Sequence, residues 1–276
     1  MKQTTAASDR GRAIAFAVLT ALGALALGAC EQASGAGASA NRTAYGEPVR
    51  VGQGTARAYV TTTNGVPTEV GVALSEAALS GLPDQHAPGG VFTHGHFTFE
   101  HVLELPKGNP TPVRHVLLNW NPGGHEPPGI YDTPHFDFHF YVIDNAERLA
   151  IDPADPEYQR KAERKPAPEL VPERYVMPAP LAFARMGVHW VDTTSAELKG
   201  QPFTATFIYG SWDGKVIFGE PMIAKAYLET KREFSAELPA PARGREAGLY
   251  PTRYSVRWDA ATKEYRITLT GMSPRG

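Results

Sequence analysis

The chain has a single cysteine and no surplus of positive charge, which excludes an intramolecular disulfide and argues against binding to nucleic acid. Cys30 is the single cysteine among 276 residues, so no intramolecular disulfide can form. The formal net charge is −2 at pH 7 without a basic stripe, so nucleic acid is not an expected partner. A P-loop, a dinucleotide-binding glycine fingerprint and a G-x-S-x-G elbow are also missing. Nucleotide-dependent and serine-hydrolase chemistry are therefore unsupported.

A long apolar run opens the chain. Lys2, Arg10 and Arg12 precede residues 13–29, which are small or apolar throughout and lead into Leu-Gly-Ala-Cys30. Because a polar segment rich in glycine and serine follows at once, a cleaved signal fits better than a transmembrane helix. The Leu-Gly-Ala-Cys string resembles the bacterial lipobox, and this resemblance implies a lipid on Cys30 and cleavage before it.

This organisation predicts three parts. Residues 1–29 are a lipoprotein signal peptide, 30–44 a flexible tether, and 45–276 a single β-rich domain. The protein is expected to be exported and anchored in the bacterial cell envelope, at the periplasmic or outer-membrane face, through lipid on Cys30. Three of the 27 basic residues and one of the 29 acidic residues lie in the signal, so the net charge falls from −2 to −4. Whether copies of the chain form a homo-oligomer stays open.

Most segments of the domain alternate apolar and polar residues with the period of two that is typical of strands. Asn64-Gly65 and Asp213-Gly214 separate pairs of such segments, as in β-hairpins. Helical patterns are short and occur at residues 75–83 and 155–163. The predicted fold is mainly β, an antiparallel sandwich or barrel with one or two peripheral helices. Strands are predicted at residues 56–63, 67–74, 97–105, 113–120, 135–143, 187–192, 203–209, 216–218, 254–258 and 265–269.

The stretch His-Phe-Asp-Phe-His-Phe-Tyr over residues 135–141 combines aromatic residues with ionisable ones. In a strand, the three phenylalanines lie on one face, and His135, Asp137, His139 and Tyr141 lie on the other. The aromatic face is core. Because so apolar a strand is expected to be central, its buried ionisable groups must be paired or must bind something.

Strand geometry limits how these side chains could share an ion. His135 and His139 are roughly 13 Å apart along a strand, too far to bind one ion, whereas alternate neighbours are about 7 Å apart. An ion would therefore take two neighbours from this strand and recruit the rest elsewhere. His125 and Glu126 in the preceding loop and His189 in a later strand are the candidates. Such nitrogen and oxygen ligands suit zinc, manganese, iron or copper.

Two other interpretations stay open. The first is a metal-dependent, cupin-like enzyme with Glu126 or Asp192 as general base, suggested in part because His94, His96 and Glu100 resemble the first half of the cupin metal motif. The second half of that motif is not found. The second interpretation is a structural envelope protein without a ligand, in which the polar side chains only hydrogen-bond one another. A small polar molecule in place of a metal is a variant of the binding hypothesis.

Several long strings resemble a bacterial family of unknown function, typified by a thermophile protein under sigma-E/anti-sigma-E control. They are residues 117–141, which contain HEPPGIYDTPHFDFHFY, residues 185–192 with MGVHWVD, and residues 207–223 with YGSWDGKVIF and EPMI. The family carries no established activity to transfer. The resemblance does direct attention to the ionisable residues inside these strings, namely His125, Glu126, Tyr131, His135, Asp137, His139, His189, Asp192 and Glu220.

Overall fold

The computed structural model describes residues 40–93, 96–179, 181–239 and 241–276. The predicted signal peptide, Cys30 and His94 lie outside these ranges. The described residues belong to one compact unit, Ser39–Gly276. Within the described ranges, no helix is both long and apolar enough to cross a membrane. This unit contains both sheets and the core between them, so we expect it to fold on its own.

The first of two sheets is antiparallel and has seven strands. They are β1 (Asn41–Tyr45), β2 (Val49–Val51), β3 (Gly54–Thr63), β4 (Val66–Ser75), β14 (Phe234–Glu237), β16 (Arg253–Asp259) and β17 (Glu264–Thr270), numbered along the chain. Across the sheet the order is β1, β3, β4, β17, β16, β14, and β2 also pairs with β3. The predicted turn at Asn64-Gly65 is confirmed, because it joins β3 to β4 with Thr63 opposite Val66.

The second sheet has nine strands and contains the candidate site. They are β5 (Val91–Thr93), β6 (His96–Glu104), β7 (His115–Asn121), β8 (His135–Tyr141), β9 (Tyr175–Val176), β10 (Ala182–Phe183), β11 (Gly187–Asp192), β12 (Ala205–Trp212) and β13 (Lys215–Ala224). The order is β10, β11, β12, β13, β8, β7, β6, β5, and β9 pairs with β11. The turn at Asp213-Gly214 joins β12 to β13, as predicted. A further pair, β15 (Gly248–Tyr250) and β18 (Ser273–Arg275), lies apart.

The helices of the described residues are short and form no layer of their own. The α-helices are α1 (Asn145–Leu149), α2 (Tyr158–Glu163) and α3 (Lys225–Glu229), and 3-10 turns occur at Glu76–Leu79, Pro168–Leu170 and Glu197–Lys199. The helical pattern at residues 155–163 corresponds to α2, and that at 75–83 is the first 3-10 turn. The sequence did not predict α1 or α3. Asp144 and Glu147 close a capping box at the start of α1, which stabilises so short a helix.

The two sheets pack face to face around one large apolar core. The three phenylalanines of β8, Phe136, Phe138 and Phe140, are at most 1% exposed, and they pack with Val72 and Ile267 of the first sheet. The predicted antiparallel sandwich is therefore confirmed. The barrel alternative fails, because in the described part of the chain each sheet ends in two separate edge strands that do not pair with each other.

The first strand corrects one predicted boundary. Residues 41–44 fall inside the range assigned to the tether, 30–44, yet they belong to β1. The backbone of β1 pairs with β3 in register from Asn41 opposite Thr63, and Thr63 Oγ1 donates to Asn41 Oδ1 at 2.7 Å. Composition alone misses this strand because its residues are mostly polar and exposed, and its stability comes from pairing at a sheet edge.

A glycine in β12 makes room for an aromatic ring. A Cβ at Gly210 would lie 2.1 Å from two ring atoms of Phe218, which is fully buried. We expect Gly210→Ala to lower the free energy of unfolding by about 1–3 kcal/mol, the usual effect of overpacking a core. Thermal unfolding followed by circular dichroism measures this, and an unchanged midpoint would show that Phe218 does not depend on Gly210.

Candidate metal centre

The ionisable residues of β8 lie on the outer face of the nine-stranded sheet, away from the core between the sheets. β8 is central, with β7 on one side and β13 on the other. In the register with β7, His135 faces Asn121 and Asp137 faces Asn119. All four side chains are at most 4% exposed. Strand alternation thus produces a buried polar row, as the sequence indicated, and adds two asparagines to it.

The loop between β7 and β8 brings His125 over this row. Its path requires a glycine, since Gly124 has φ +72° and a Cβ there would lie 2.1 Å from the carbonyl oxygen of Tyr131. The backbone N–H of His125 donates to that same carbonyl at 3.2 Å. The ring of His125 then meets the ring of His135 edge-on, with centroids 4.6 Å apart. The loop is therefore folded back onto the sheet.

His125, His135 and Asp137 form a group that could hold a metal ion. His135 Nε2 lies 3.1 Å from Asp137 Oδ1, and His125 Nε2 lies 3.5 Å from Asp137 Oδ2. Ligand atoms bound tetrahedrally at about 2.0–2.1 Å from one ion are roughly 3.3 Å apart, so these distances suit shared coordination. His135 Nε2 and Asp137 Oδ1 are buried without a hydrogen-bond partner among the described residues, despite lying so close.

Backbone carbonyls fix the tautomers of both histidines in this group. His125 Nδ1 lies 2.8 Å from the carbonyl oxygen of Glu126, and His135 Nδ1 lies 2.7 Å from that of Thr133. Because a carbonyl can only accept, each Nδ1 must carry the proton and donate it. In the neutral imidazole the lone pair is then on Nε2, the atom facing Asp137. Metal-binding histidines are commonly oriented in this way.

A second group, His139, His189 and Glu220, comes from three strands of the same sheet. His139 Nε2 lies 3.3 Å from Glu220 Oε2, and both atoms lack a hydrogen-bond partner within the described ranges. Phe218 contacts both imidazoles edge-on, with ring centroids 4.8 Å from His139 and 5.7 Å from His189. The ring that requires Gly210 therefore also packs against two members of this group.

Burial and neighbouring charges prepare the first group for a cation. Burial would raise the pKa of Asp137, but the facing imidazoles of His135 and His125 hold it well below its ordinary value. Burial would lower the pKa of His125, but its contact with the Asp137 carboxylate raises it overall. The contacts between the imidazoles and the Asp137 carboxylate oppose the effect of burial on both pKa values. The arrangement attracts a cation, either a proton or a metal ion, between imidazole and carboxylate.

Burial disfavours the charged form of all three side chains in the second group. Burial lowers the pKa of His139 to about 4 and that of His189 to about 3, so both imidazoles are neutral at pH 7. Burial, and next the nearby Asp137 carboxylate, raise the pKa of Glu220 well above its ordinary value. A bound cation would reverse that shift by stabilising the carboxylate. A metal ion bound here would therefore compete with a proton for the Glu220 carboxylate.

One cavity of about 40 Å³ is lined by His125 and Asp137 of the first group and by all three residues of the second. It is large enough for an ion and a water molecule. A surface pocket of about 430 Å³ adjoins it and shares His96, His125 and Glu126 with its lining. His96 Nδ1 lies 3.2 Å from Glu126 Oε2, so this pair forms the wall between the two spaces. The surface pocket gives a direct approach from solvent to His125.

The remaining predicted residues are dispersed. Tyr131 is buried, and its hydroxyl donates to Glu197 Oε1 at 3.2 Å, while its ring lies 5.7 Å from that of His125. Asp192 is not in the cavity lining, because it accepts from Arg174 Nε at 2.9 Å and from the Thr194 hydroxyl at 2.7 Å. The structure thus assigns Tyr131 to the support of the loop and Asp192 to a separate turn.

The cupin-like cluster does not converge on an ion in the described part of the chain. Glu100 pairs with Arg148 at 3.6 Å and with Arg185 at 3.3 Å. His96 instead turns to Glu126 at the wall of the cavity. His96 therefore lies beside the candidate centre, although the sequence pattern favoured the histidines of residues 125–139 as ligands.

Two polar residues of the site, Asn119 and Asn121, were not predicted from the sequence. Asn121 Nδ2 donates to Asp137 Oδ2 at 2.6 Å, and Asn119 Nδ2 donates to Thr98 Oγ1 at 2.8 Å. The carbonyl oxygens of both amides are buried and have no hydrogen-bond partner among the described residues. Their alternation with Leu118 and Trp120 in β7 was the available signal, because it assigns both asparagines to the face opposite the apolar core.

A comparison with protein families finds a match over part of the chain. The family model described as TTHB210-like, hypothetical protein TTHB210, matches residues 63–120. This segment extends from the end of β3 into β7, and it fits the predicted resemblance to uncharacterised proteins typified by a thermophile protein. The longer motif strings and the regulation stay predictions. No curated protein and no solved structure matches the chain.

Proposed function

We propose that the protein binds a divalent transition metal at His125, His135 and Asp137. One observation carries the proposal, namely that two imidazoles with carbonyl-fixed Nδ1 protons direct Nε2 at opposite oxygens of one buried carboxylate, 3.1 and 3.5 Å away. An Nε2 lone pair and a carboxylate oxygen at this distance repel each other unless a cation, either a proton or a metal ion, lies between them. Buried polar groups without partners otherwise cost stability.

A second ion position at His139, His189 and Glu220 belongs to the same proposal. Each group supplies two imidazoles and one carboxylate, a set found in catalytic zinc sites and in non-haem iron sites with open coordination positions. Zinc, manganese, iron and copper all accept these ligands, and the geometry of the bound state decides among them. Calcium and magnesium are less suitable because they prefer oxygen ligands.

Anomalous diffraction locates the ion directly. Crystals of the unit 39–276 grown with zinc are expected to show an anomalous peak at the zinc edge within about 2.3 Å of His125 Nε2, His135 Nε2 and an Asp137 oxygen. A weaker peak is expected in the second group. Peaks confined to exposed histidines such as His86 would contradict the proposal, since they would show that the buried groups do not take the metal.

A metal-dependent enzyme is the second candidate. The pocket of about 430 Å³ beside His125 favours it, because a substrate could approach an open coordination position from there. Glu126 lies at the boundary and could act as the base. If the zinc-loaded protein hydrolyses p-nitrophenyl acetate or p-nitrophenyl phosphate, Glu126→Gln should lower kcat by about 10² or more. Absence of metal-dependent turnover of either compound leaves metal binding as the function.

We also propose that the protein is exported and lipid-anchored at Cys30. The apolar run at residues 13–29 and the Leu-Gly-Ala-Cys string that ends at Cys30 support this. In a Gram-negative host fed labelled palmitate, the full chain is expected to become labelled and to fractionate with membranes. Cys30→Ser should abolish the label, since no other cysteine is present. Equal labelling of both chains would contradict the proposal.

A further inference from the structure

A second cavity, of about 80 Å³, lies between the two sheets at one end of the sandwich. Phe140, Phe207 and Tyr209 line it from the nine-stranded sheet, and Val70 and Leu269 line it from the other. These side chains are on the core face, so the cavity and the candidate metal centre are on opposite faces of the nine-stranded sheet. The cavity is therefore a separate site and does not depend on the proposed function.

The lining of this cavity is apolar apart from its rim. Phe140, Phe207, Val70 and Leu269 are all at most 4% exposed, as in a normal core. Protein cores, however, rarely leave voids larger than a water molecule, and a void without polar partners does not hold ordered water. Such a space suits the hydrocarbon part of a ligand.

Two arginines line the rim of the cavity, on the segment that leads from β14 to β15. Arg243 is exposed and pairs with Glu169 at 3.5 Å. Arg245 is half-buried, and Nη1 donates to the carbonyl oxygen of Val142 at 3.3 Å. Among the described residues no carboxylate lies within ion-pair distance of Arg245. The guanidinium of Arg245 therefore has N–H groups available to bind an anion at the mouth of the apolar cavity.

We propose that this cavity binds a linear fatty acid, with its hydrocarbon chain between the sheets and its carboxylate on Arg245. A guanidinium recognises a carboxylate through charge-assisted, often bidentate, hydrogen bonds. The apolar chain replaces a void with contacts to Phe140 and Phe207 on one side and Leu269 on the other. A cationic amphiphile of the same length would fit the same cavity, but the arginines at the rim would repel its charged head group.

Isothermal titration calorimetry with decanoate, below its micelle concentration, tests the site on the unit 39–276. One saturable site is expected for decanoate and none for decyltrimethylammonium. Arg245→Glu should weaken decanoate binding at least tenfold, because it reverses the charge at the rim. Arg50→Glu makes the same change at an exposed position of β2 away from the cavity, and it should alter the affinity less than twofold.

A variant that fills the cavity separates the apolar contribution from the charge. Leu249 lines the cavity and is half-buried, so Leu249→Trp should abolish decanoate binding while far-ultraviolet circular dichroism stays unchanged. If that variant does not fold, the two arginine variants decide the question. No saturable binding of decanoate, or equal binding of decanoate and decyltrimethylammonium, overturns the proposal. Equal weakening by Arg50→Glu and Arg245→Glu overturns it as well, since the effect would then reflect net charge alone.

Discussion

Asp137→Asn is expected to lower the affinity for zinc about a hundredfold or more, since even outer-shell partners of a metal site contribute about 10- to 100-fold. Asp137 is the carboxylate that both His125 and His135 approach, so its charge holds the first group together. The substitution keeps the size of the side chain, and the new amide oxygen can still accept from Asn121. A loss of zinc affinity would then result from the missing charge and the missing carboxylate ligand, and not from a cavity left by a smaller side chain.

Competition titration against a chromophoric zinc chelator measures the affinity of this variant. Glu104→Gln is the matched control, because it makes the same carboxylate-to-amide change on β6 of the same sheet at an exposed position. We expect the control to bind zinc like the unchanged protein. An Asp137→Asn variant with unchanged affinity would show that zinc binds elsewhere, and the first group would then be only a hydrogen-bonded polar cluster.

The second large effect is on stability. A ligand that binds only the folded state at about 100 times its Kd adds about 2.7 kcal/mol to the free energy of unfolding. For a domain of this size each kcal/mol shifts the melting temperature by about 2–4 °C, so zinc should raise it by roughly 5–11 °C. The physical reason is that the ion neutralises Asp137 and satisfies buried atoms that otherwise lack partners.

Differential scanning calorimetry with zinc, with magnesium and with a chelator measures this shift. Magnesium should leave the melting temperature close to the value in chelator, because it prefers a shell of oxygens. His135→Ala should reduce the zinc-induced rise, because it removes one ligand of the first group. Identical melting temperatures in zinc and in chelator would contradict the account.

The fold was predictable where local pattern and tertiary environment agree. In β8, alternation placed the phenylalanines in the core and His135, Asp137 and His139 on the opposite face, and the burial of the strand follows from its central position. The hairpin turns were equally clear because Asn-Gly and Asp-Gly tolerate the required backbone. Edge strand β1 was not predictable, since its exposed residues carry no apolar pattern and it depends on pairing with β3.

Sequence pattern identified most of the candidate site residues, but it did not show that they divide into two groups. Strand spacing separated His135 from His139, which belong to different candidate groups, and allowed His135 and Asp137 to belong to the same one. It could not show that His139 joins His189 and Glu220, because those residues come from β11 and β13 and meet β8 only through the strand order of the sheet. Long-range pairing of this kind is absent from local periodicity.

Elemental analysis by mass spectrometry is the most direct measurement of metal binding at these residues. The unit 39–276, purified without chelator, is compared with a His135→Ala/His139→Ala variant that removes one ligand from each group. We expect near-stoichiometric transition metal in the unchanged protein and its loss from the variant, with circular dichroism showing that both are folded. If neither protein carries metal, even after incubation with zinc, manganese, iron and copper, the account is contradicted, and the histidine and carboxylate groups are a structural polar cluster.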